Sequence, residues 1–139
     1  MNATTTRGLL DTSTLILLGR LETITGLPDQ PSISVVTLAE LSVGPLVAAS
    51  DAERAARQAH LQQAEADFDP LVFDAPVARK FGQVAASLRR FGRKPAARSF
   101  DAMIAATALA HDLPVHTCNP DDFSGIDDLT VIAVPHPDR

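Results

Sequence analysis

The sequence predicts a layered α/β fold in which helices flank an open, mostly parallel sheet of four or five strands. Three observations carry that expectation. Short apolar runs alternate with helical patterns from end to end, and parallel strands need crossover helices between them. The 139 residues make one domain, 1–139, against a prior of about 150 residues per domain. Hydrophobic residues are 45% and charged residues 21% of the chain, a balance that supplies a core and argues against disorder.

Residues 1–7 are polar and are expected to form a loose start. Leu9 and Leu10 form a first strand that ends at Asp11, and Ser13 caps a helix carrying Leu15 to Leu18. Gly26 and Pro28 break the chain. The run Ile33, Ser34, Val35, Val36 is short and β-branched, hence a buried second strand, with Thr37 capping a helix that reaches Ala49. Ser50 and Glu53 make a capping box for an Ala- and Gln-rich helix ending at Asp67. Leu71 to Phe73 is a third strand, Asp74 caps a helix from Ala75 to Phe91, and Gly92 to Pro95 is a loop. Ser99 caps a helix from Phe100 to His111. Val115 to Cys118 is a strand, Asn119 to Phe123 a turn with helical tendency, Thr130 to Val134 the last strand, and 135–139 a loose tail.

Composition excludes several function classes. The only aromatic residues are six Phe, too few for a platform of stacked bases. A single cysteine, Cys118, permits neither an intrachain disulfide nor a CxxC site and reads as a buried strand residue. No run approaches the roughly 18 apolar residues of a membrane span, and Asp11 interrupts the first apolar run before it could serve as a signal-peptide core. A cytoplasmic protein with no membrane partner is expected. His60, His111, His116 and His136 are scattered without metal-ligand spacing.

Four acidic residues fall at strand ends or helix starts: Asp11, Glu40, Asp101 and Asp122. Their separations are 29, 61 and 21 residues, so only the fold can bring them together. In open α/β sheets the place for that is the carboxyl edge, where strand order reverses. Each acid also has a local explanation. Glu40 with Thr37 fits a capping box, Asp101 suits a helix N-terminus, and Asp122 suits a turn. Asp11 is harder to explain locally, because a carboxylate among Leu9, Leu10 and Leu15 is costly without a partner. Clustered carboxylates repel and call for a hard divalent cation, Mg²⁺ or Mn²⁺, with oxygen ligands. Such an ion activates water and stabilises phosphoryl charge, which implies phosphodiester hydrolysis.

The net charge of −5 conceals a basic segment. Seven of the twelve Lys and Arg residues lie between 79 and 98, where no Asp or Glu occurs. Arg89, Arg90, Arg93, Lys94 and Arg98 stand directly before the Asp101 helix and are expected to hold a phosphate backbone by nonspecific charge contacts.

Four blocks in order resemble the PIN-domain family, most closely its VapC-type ribonuclease toxins: Leu9 to Ser13, Ser34 to Leu41, Asp101 to Ala108, and Thr117 to Phe123. The resemblance implies a PIN-like α/β/α sandwich and a Mg²⁺-dependent endoribonuclease, the toxin of a type II toxin–antitoxin pair. It implies Asp11 and Asp101 as principal metal ligands, Glu40 completing the acidic site, and Asp122 as the fourth acid with Asp121 as its alternative. Asn119 stands where the family often carries an acid. Ser13, Thr117 and Asn119 would support the ligands from behind, although Ser13 also fits a helix cap. A cognate VapB-like antitoxin, an RNA substrate and a homodimer are implied as partners. Competing readings are weaker: a phosphatase of the HAD kind needs a second Asp at position 13, which is Ser, and a receiver domain needs a late Lys, whereas none follows Lys94. The non-enzymatic alternative is an inert PIN-like module that binds protein or RNA.

Overall fold

The computed structural model describes residues 5–21, 25–94 and 98–139. β1 (Arg7–Leu10) leads into α1 (Thr12–Leu17) and a 3₁₀ turn, Leu18–Arg20. β2 (Gln30–Ser32) is followed by α2 (Val35–Leu46), α3 (Asp51–Asp67), α4 (Ala75–Arg90) and α5 (Ser99–Ala110). β3 (Val115–Thr117), a 3₁₀ turn (Pro120–Phe123) and β4 (Val131–Ala133) complete the chain. The four strands pair in the order β2-β1-β3-β4, every pair parallel. The chain therefore moves outward from β1 to β2, returns past β1 to β3, and continues to β4. Strand order reverses between β1 and β3, so the switch point lies at their carboxyl ends.

Alternation along β1 builds two cores. Leu9 packs into a cluster with Val77, Val84, Leu88, Ile104 and Phe123, while Leu10 points the other way, to Ile33, Leu41 and Ala64. All of these are nearly or fully buried, each large side chain contributing about 1.5–3 kcal/mol by leaving water. One face of the sheet thus carries α4 and α5, the other α2 and α3. α5 is buried along Ala102, Ile104, Ala105, Ala106, Thr107 and Ala108, and its small side chains let α4 pack close against it. α3 buries only Ala64 and presents a polar outer surface.

Several boundaries differ from the expectation, for identifiable reasons. The β-branched run 33–36 is not a strand. Ser34 adopts extended geometry and accepts from the Val36 N–H at 2.9 Å, so it caps α2 three residues ahead of Thr37. The helix stops at Leu46 rather than Ala49. Leu71 forms a single parallel bridge to Ser34 and no strand extends to Phe73, which limits the sheet to four strands among the described residues. Asp11, not Ser13, caps α1, and Arg98, not Ser99, precedes α5. The Ser50–Glu53 start of α3 and the Asp74 cap of α4 are as expected. α4 ends before Gly92, whose φ of +85° reverses the chain while the Arg93 N–H returns to the Leu88 carbonyl at 2.8 Å.

Neither terminus is as loose as expected. The Thr6 N–H donates to Asp29 at 3.0 Å and Arg7 belongs to β1. In the tail, Arg20 pairs with Asp138 at 2.5 Å. Residues 1–4, and Pro95 of the anticipated loop, lie outside the described residues. Among the described residues no helix is long and apolar enough to cross a membrane.

Gly8 sits where β1 runs beneath the ring of His116, and a Cβ there would meet ring atoms at 2.2 and 2.3 Å. The ring cannot swing clear, because His116 is buried and its Nδ1 bonds the Gly26 carbonyl at 2.5 Å. Gly8→Ala is expected to cost about 1–3 kcal/mol through overpacking. Thermal unfolding checks this: the midpoint should fall by several degrees, and an unchanged midpoint contradicts the close packing.

Candidate active site

Asp11 leaves the end of β1 at the switch point and is 3% exposed. Both of its oxygens accept hydrogen bonds. Oδ1 accepts the Thr14 N–H at 3.3 Å, as a helix cap should, and Oδ2 accepts from Thr117 Oγ1 at 2.8 Å and Ser13 Oγ at 3.3 Å. Thr117 ends β3, so this bond ties the two central strands together where their order reverses. Burial raises the Asp11 pKa, opposed by the bonds from Thr14, Thr117 and Ser13.

Glu40 lies in the second turn of α2. The capping-box explanation does not hold for it, because Ser34 is the cap and Glu40 Oε1 instead accepts from Thr12 Oγ1 at 2.6 Å. The Thr12 hydroxyl also contacts Thr37 Oγ1 at 3.0 Å. Thr12, the residue directly after Asp11, therefore couples the start of α1 to the acid on α2. Sequence reasoning missed Thr12. The available signal was its place one residue beyond a buried carboxylate, where a hydroxyl can serve a second one. Burial raises the Glu40 pKa and the Asp11 charge adds to the rise, while the Thr12 bond opposes them.

Asp101 stands in the first turn of α5 and its pKa is pushed up to about 6, first by burial and then by the charges of Asp122, Asp11 and Glu40, with Arg98 opposing. The three other acids are thus close enough to act on this one carboxyl. Asp122, in the turn after β3, accepts from Arg98 Nη1 at 2.8 Å. Asn119 donates through Nδ2 to Ser13 Oγ at 3.1 Å, and its backbone N–H bonds Thr117 Oγ1 at 2.9 Å. Ser13, Thr117 and Asn119 form a continuous polar shell behind Asp11. Cys118 is buried beside them with a raised thiol pKa, chiefly from burial.

The donor set is all oxygen and dominated by carboxylates, the chemistry that suits a hard divalent ion. The acids stand in electrostatic reach of one another yet apart: among the described residues no three His, Cys, Asp or Glu converge into a ready metal-binding group.

The anticipated basic rim is only partly available. Arg90 pairs with Asp127, Arg98 with Asp122, and Arg93 bonds Ser124 Oγ at 2.6 Å while lying over the Phe91 ring. Arg89 and Lys94 are exposed.

A carboxyl whose native pKa exceeds its unfolded value holds its proton better in the folded chain. Asp101 therefore stabilises the fold below its ordinary 3.8, and that contribution is lost as pH rises through about 6. Asp11 and Glu40 act in the same direction. Without divalent ions, Asp101→Asn should stabilise the protein at pH 7.5 by on the order of 1 kcal/mol, after discounting for the carboxylate's partial exposure to water. It should also flatten the decline in melting temperature between about pH 4 and 6. Thermal scans across that range test both; a variant that melts lower at pH 7.5 contradicts the repulsion. Thr12→Val should cost about 1–3 kcal/mol by stranding Glu40, with Thr12→Ser restoring most of it in chemical unfolding.

The comparisons with known proteins show the family. A model of the PIN domain matches residues 9–129. The chain is 38% identical over 136 residues to Ribonuclease VapC5 of Mycobacterium tuberculosis, covering 96% of this chain and 98% of that protein. Ribonuclease VapC4 of the same organism is 36% identical over 102 residues, 73% of this chain and 75% of that one. Among solved structures, VapBC-5 of M. tuberculosis, described as a member of the VapBC family of toxin-antitoxin systems, superposes with a TM-score of 0.78 at 36% identity, covering 92% of this chain and 98% of that chain. FitAcB of Neisseria gonorrhoeae gives 0.69 at 26% identity, covering 93% and 96%. A match over most of its length, together with a relative this similar from end to end, means that the chain belongs to the PIN domain family, among its VapC proteins.

Proposed function

We propose that the protein is the ribonuclease toxin of a VapBC-type pair, a Mg²⁺-dependent endoribonuclease that hydrolyses RNA phosphodiester bonds in the cytoplasm. The observation that carries the reading is that Asp122, Asp11 and Glu40 lie near enough to Asp101 to add to the effect of burial on its carboxyl, which is pushed up to about 6. The names of its relatives support the same activity.

Asp11 and Asp101 would hold the ion, with Glu40 and Asp122 completing the acidic surround and Mn²⁺ able to substitute. When bound, the ion lowers the pKa of its water and neutralises charge on the scissile phosphate. The chain's own residues prepare for this. Thr117 and Ser13 fix the Asp11 carboxylate by bonds to Oδ2, and Thr14 fixes Oδ1. Thr12 occupies Glu40 Oε1, which leaves Oε2 as the acceptor for a proton from water. Arg98 bonds Asp122 Oδ1 and sets the fourth carboxylate. With few aromatics, RNA is recognised by its shape and backbone rather than by stacking.

A VapB-like antitoxin is the proposed restraint, supported by the likeness to VapBC-5 and by a groove of about 810 Å³ in which Leu15, Ile16, Leu27 and Phe68 lie beside Arg20 and Asp67. A homodimer is proposed with it, supported by the exposed Val43, Leu46 and Val47 at the end of α2.

Purified protein freed of antitoxin should cut cellular RNA at discrete sites with Mg²⁺ or Mn²⁺ and not with EDTA. Asp11→Asn and Asp101→Asn should each lower the rate by at least about 10²-fold, the scale on which one charge-stabilising group acts. Sequencing of the cut ends would identify the substrate. Cutting that survives EDTA or both substitutions contradicts the reading, and absence of cutting together with absence of metal binding would favour an inert binding module.

A further inference from the structure

The last four residues form a folded hook rather than a free tail. The Arg139 N–H donates to the His136 carbonyl at 3.2 Å, and the Asp138 N–H donates to His136 Nδ1 at 3.1 Å. Asp138 is anchored to Arg20, after α1, by a two-pronged pair of 2.5 and 3.3 Å, the geometry that gives guanidinium–carboxylate contacts their directionality. That contact lowers the Asp138 pKa, chiefly through the hydrogen bond from Arg20.

The hook sets one guanidinium against the polar groups that back Asp11. Arg139 Nη1 donates to Asn119 Oδ1 at 3.1 Å. Asn119 Nδ2 in turn donates to Ser13 Oγ, which donates to Asp11 Oδ2. Arg139 is thus three hydrogen bonds from the buried carboxylate, and its charge reaches the Cys118 thiol, whose pKa it lowers against the larger effect of burial.

Its situation differs from that of the cation on α5's flank. Arg98 already faces the carboxylate of Asp122, so the charge it offers an incoming phosphate is largely spent. Arg139 rests on a neutral amide, is exposed, and makes no ion pair among the described residues. A guanidinium carries five donors in a fixed fork that matches phosphate oxygens, and only one is used on Asn119. An acidic cleft that must accept a polyanion needs such an unpaired cation at its edge.

We infer that Arg139, positioned by the Arg20–Asp138 anchor and by Asn119, binds a backbone phosphate of the RNA beside the cleavage site. This rests on the ribonuclease reading and adds a binding residue to it, outside the basic segment 89–98.

The test is binding of a fluorescently labelled single-stranded RNA of mixed sequence to the full chain in Ca²⁺, measured by anisotropy over a range of salt. Steady-state cleavage in Mg²⁺ follows on the same proteins. Losing one phosphate contact on a single strand should reduce the slope of log affinity against log salt by about 0.7 and weaken binding about fivefold near 0.1 M salt. Arg139→Gln should show that loss, with KM raised and kcat kept within about twofold. Arg20→Gln and Asp138→Asn, which release the hook while keeping the Arg139 side chain, should move in the same direction by a smaller amount. Arg54→Gln on α3, whose partner is Asp51, should match wild type. If wild type binds and cuts RNA while Arg139→Gln keeps its slope and KM, the Arg139 assignment is overturned and the ribonuclease reading stands. If wild type shows no salt-dependent RNA binding and no metal-dependent cutting, both fall together. If Arg139→Gln instead weakens only association with an acidic protein partner, the phosphate assignment is overturned in favour of a protein contact.

Discussion

Carboxylates from four separate elements, gathered at one edge of a parallel sheet, oppose both burial and one another, and the arrangement of that edge follows from how the opposition is contained. Asp11 is held by three donors because a buried charge without them would neutralise or leave. Glu40 is turned toward Thr12 rather than toward its own helix start. Asp101 has the least help, and its carboxyl is pushed up to about 6. Proteins store strain of this kind where function uses it. On the proposed reading, a bound divalent cation would relieve the repulsion among the carboxylates.

The sheet topology makes the gathering possible. Because strand order reverses between β1 and β3, the residues after both strands splay around one crevice, and the bond from Thr117 to Asp11 closes it from behind. α2 and α5 lie on opposite faces of the sheet and bring Glu40 and Asp101 to it from either side. The two cores split at Leu9 and Leu10 anchor those helices, so hydrophobic packing several residues away sets where the charges meet.

Much of this was legible in the sequence, and the misses share a physical cause. Asp11 and Asp101 could be placed because a carboxylate at the end of an apolar run and another at a helix start are local patterns. The run 33–36 was misread because valines suit buried strands and buried helix starts alike, and Ser34, the deciding residue, caps only once the chain's path is known. Leu71 to Phe73 carries strand-like side chains, yet only Leu71 finds a partner, at Ser34; pairing is a tertiary fact. The basic segment was visible as a count of charges, whereas its internal pairing with Asp122, Asp127 and Ser124 depends on contacts 24 to 37 residues apart. Thr12 and Arg139 were missed for the same reason, since their partners at Glu40 and Asn119 are distant in sequence.

The most direct measurement is calorimetric titration of Mn²⁺ into the metal-free protein at pH 7.5, beside Asp11→Asn and Asp101→Asn. If the four carboxylates form one cation site, wild type binds the ion stoichiometrically and both substitutions sharply weaken it. Absence of saturable binding in wild type, or affinity unchanged in either variant, would contradict the account.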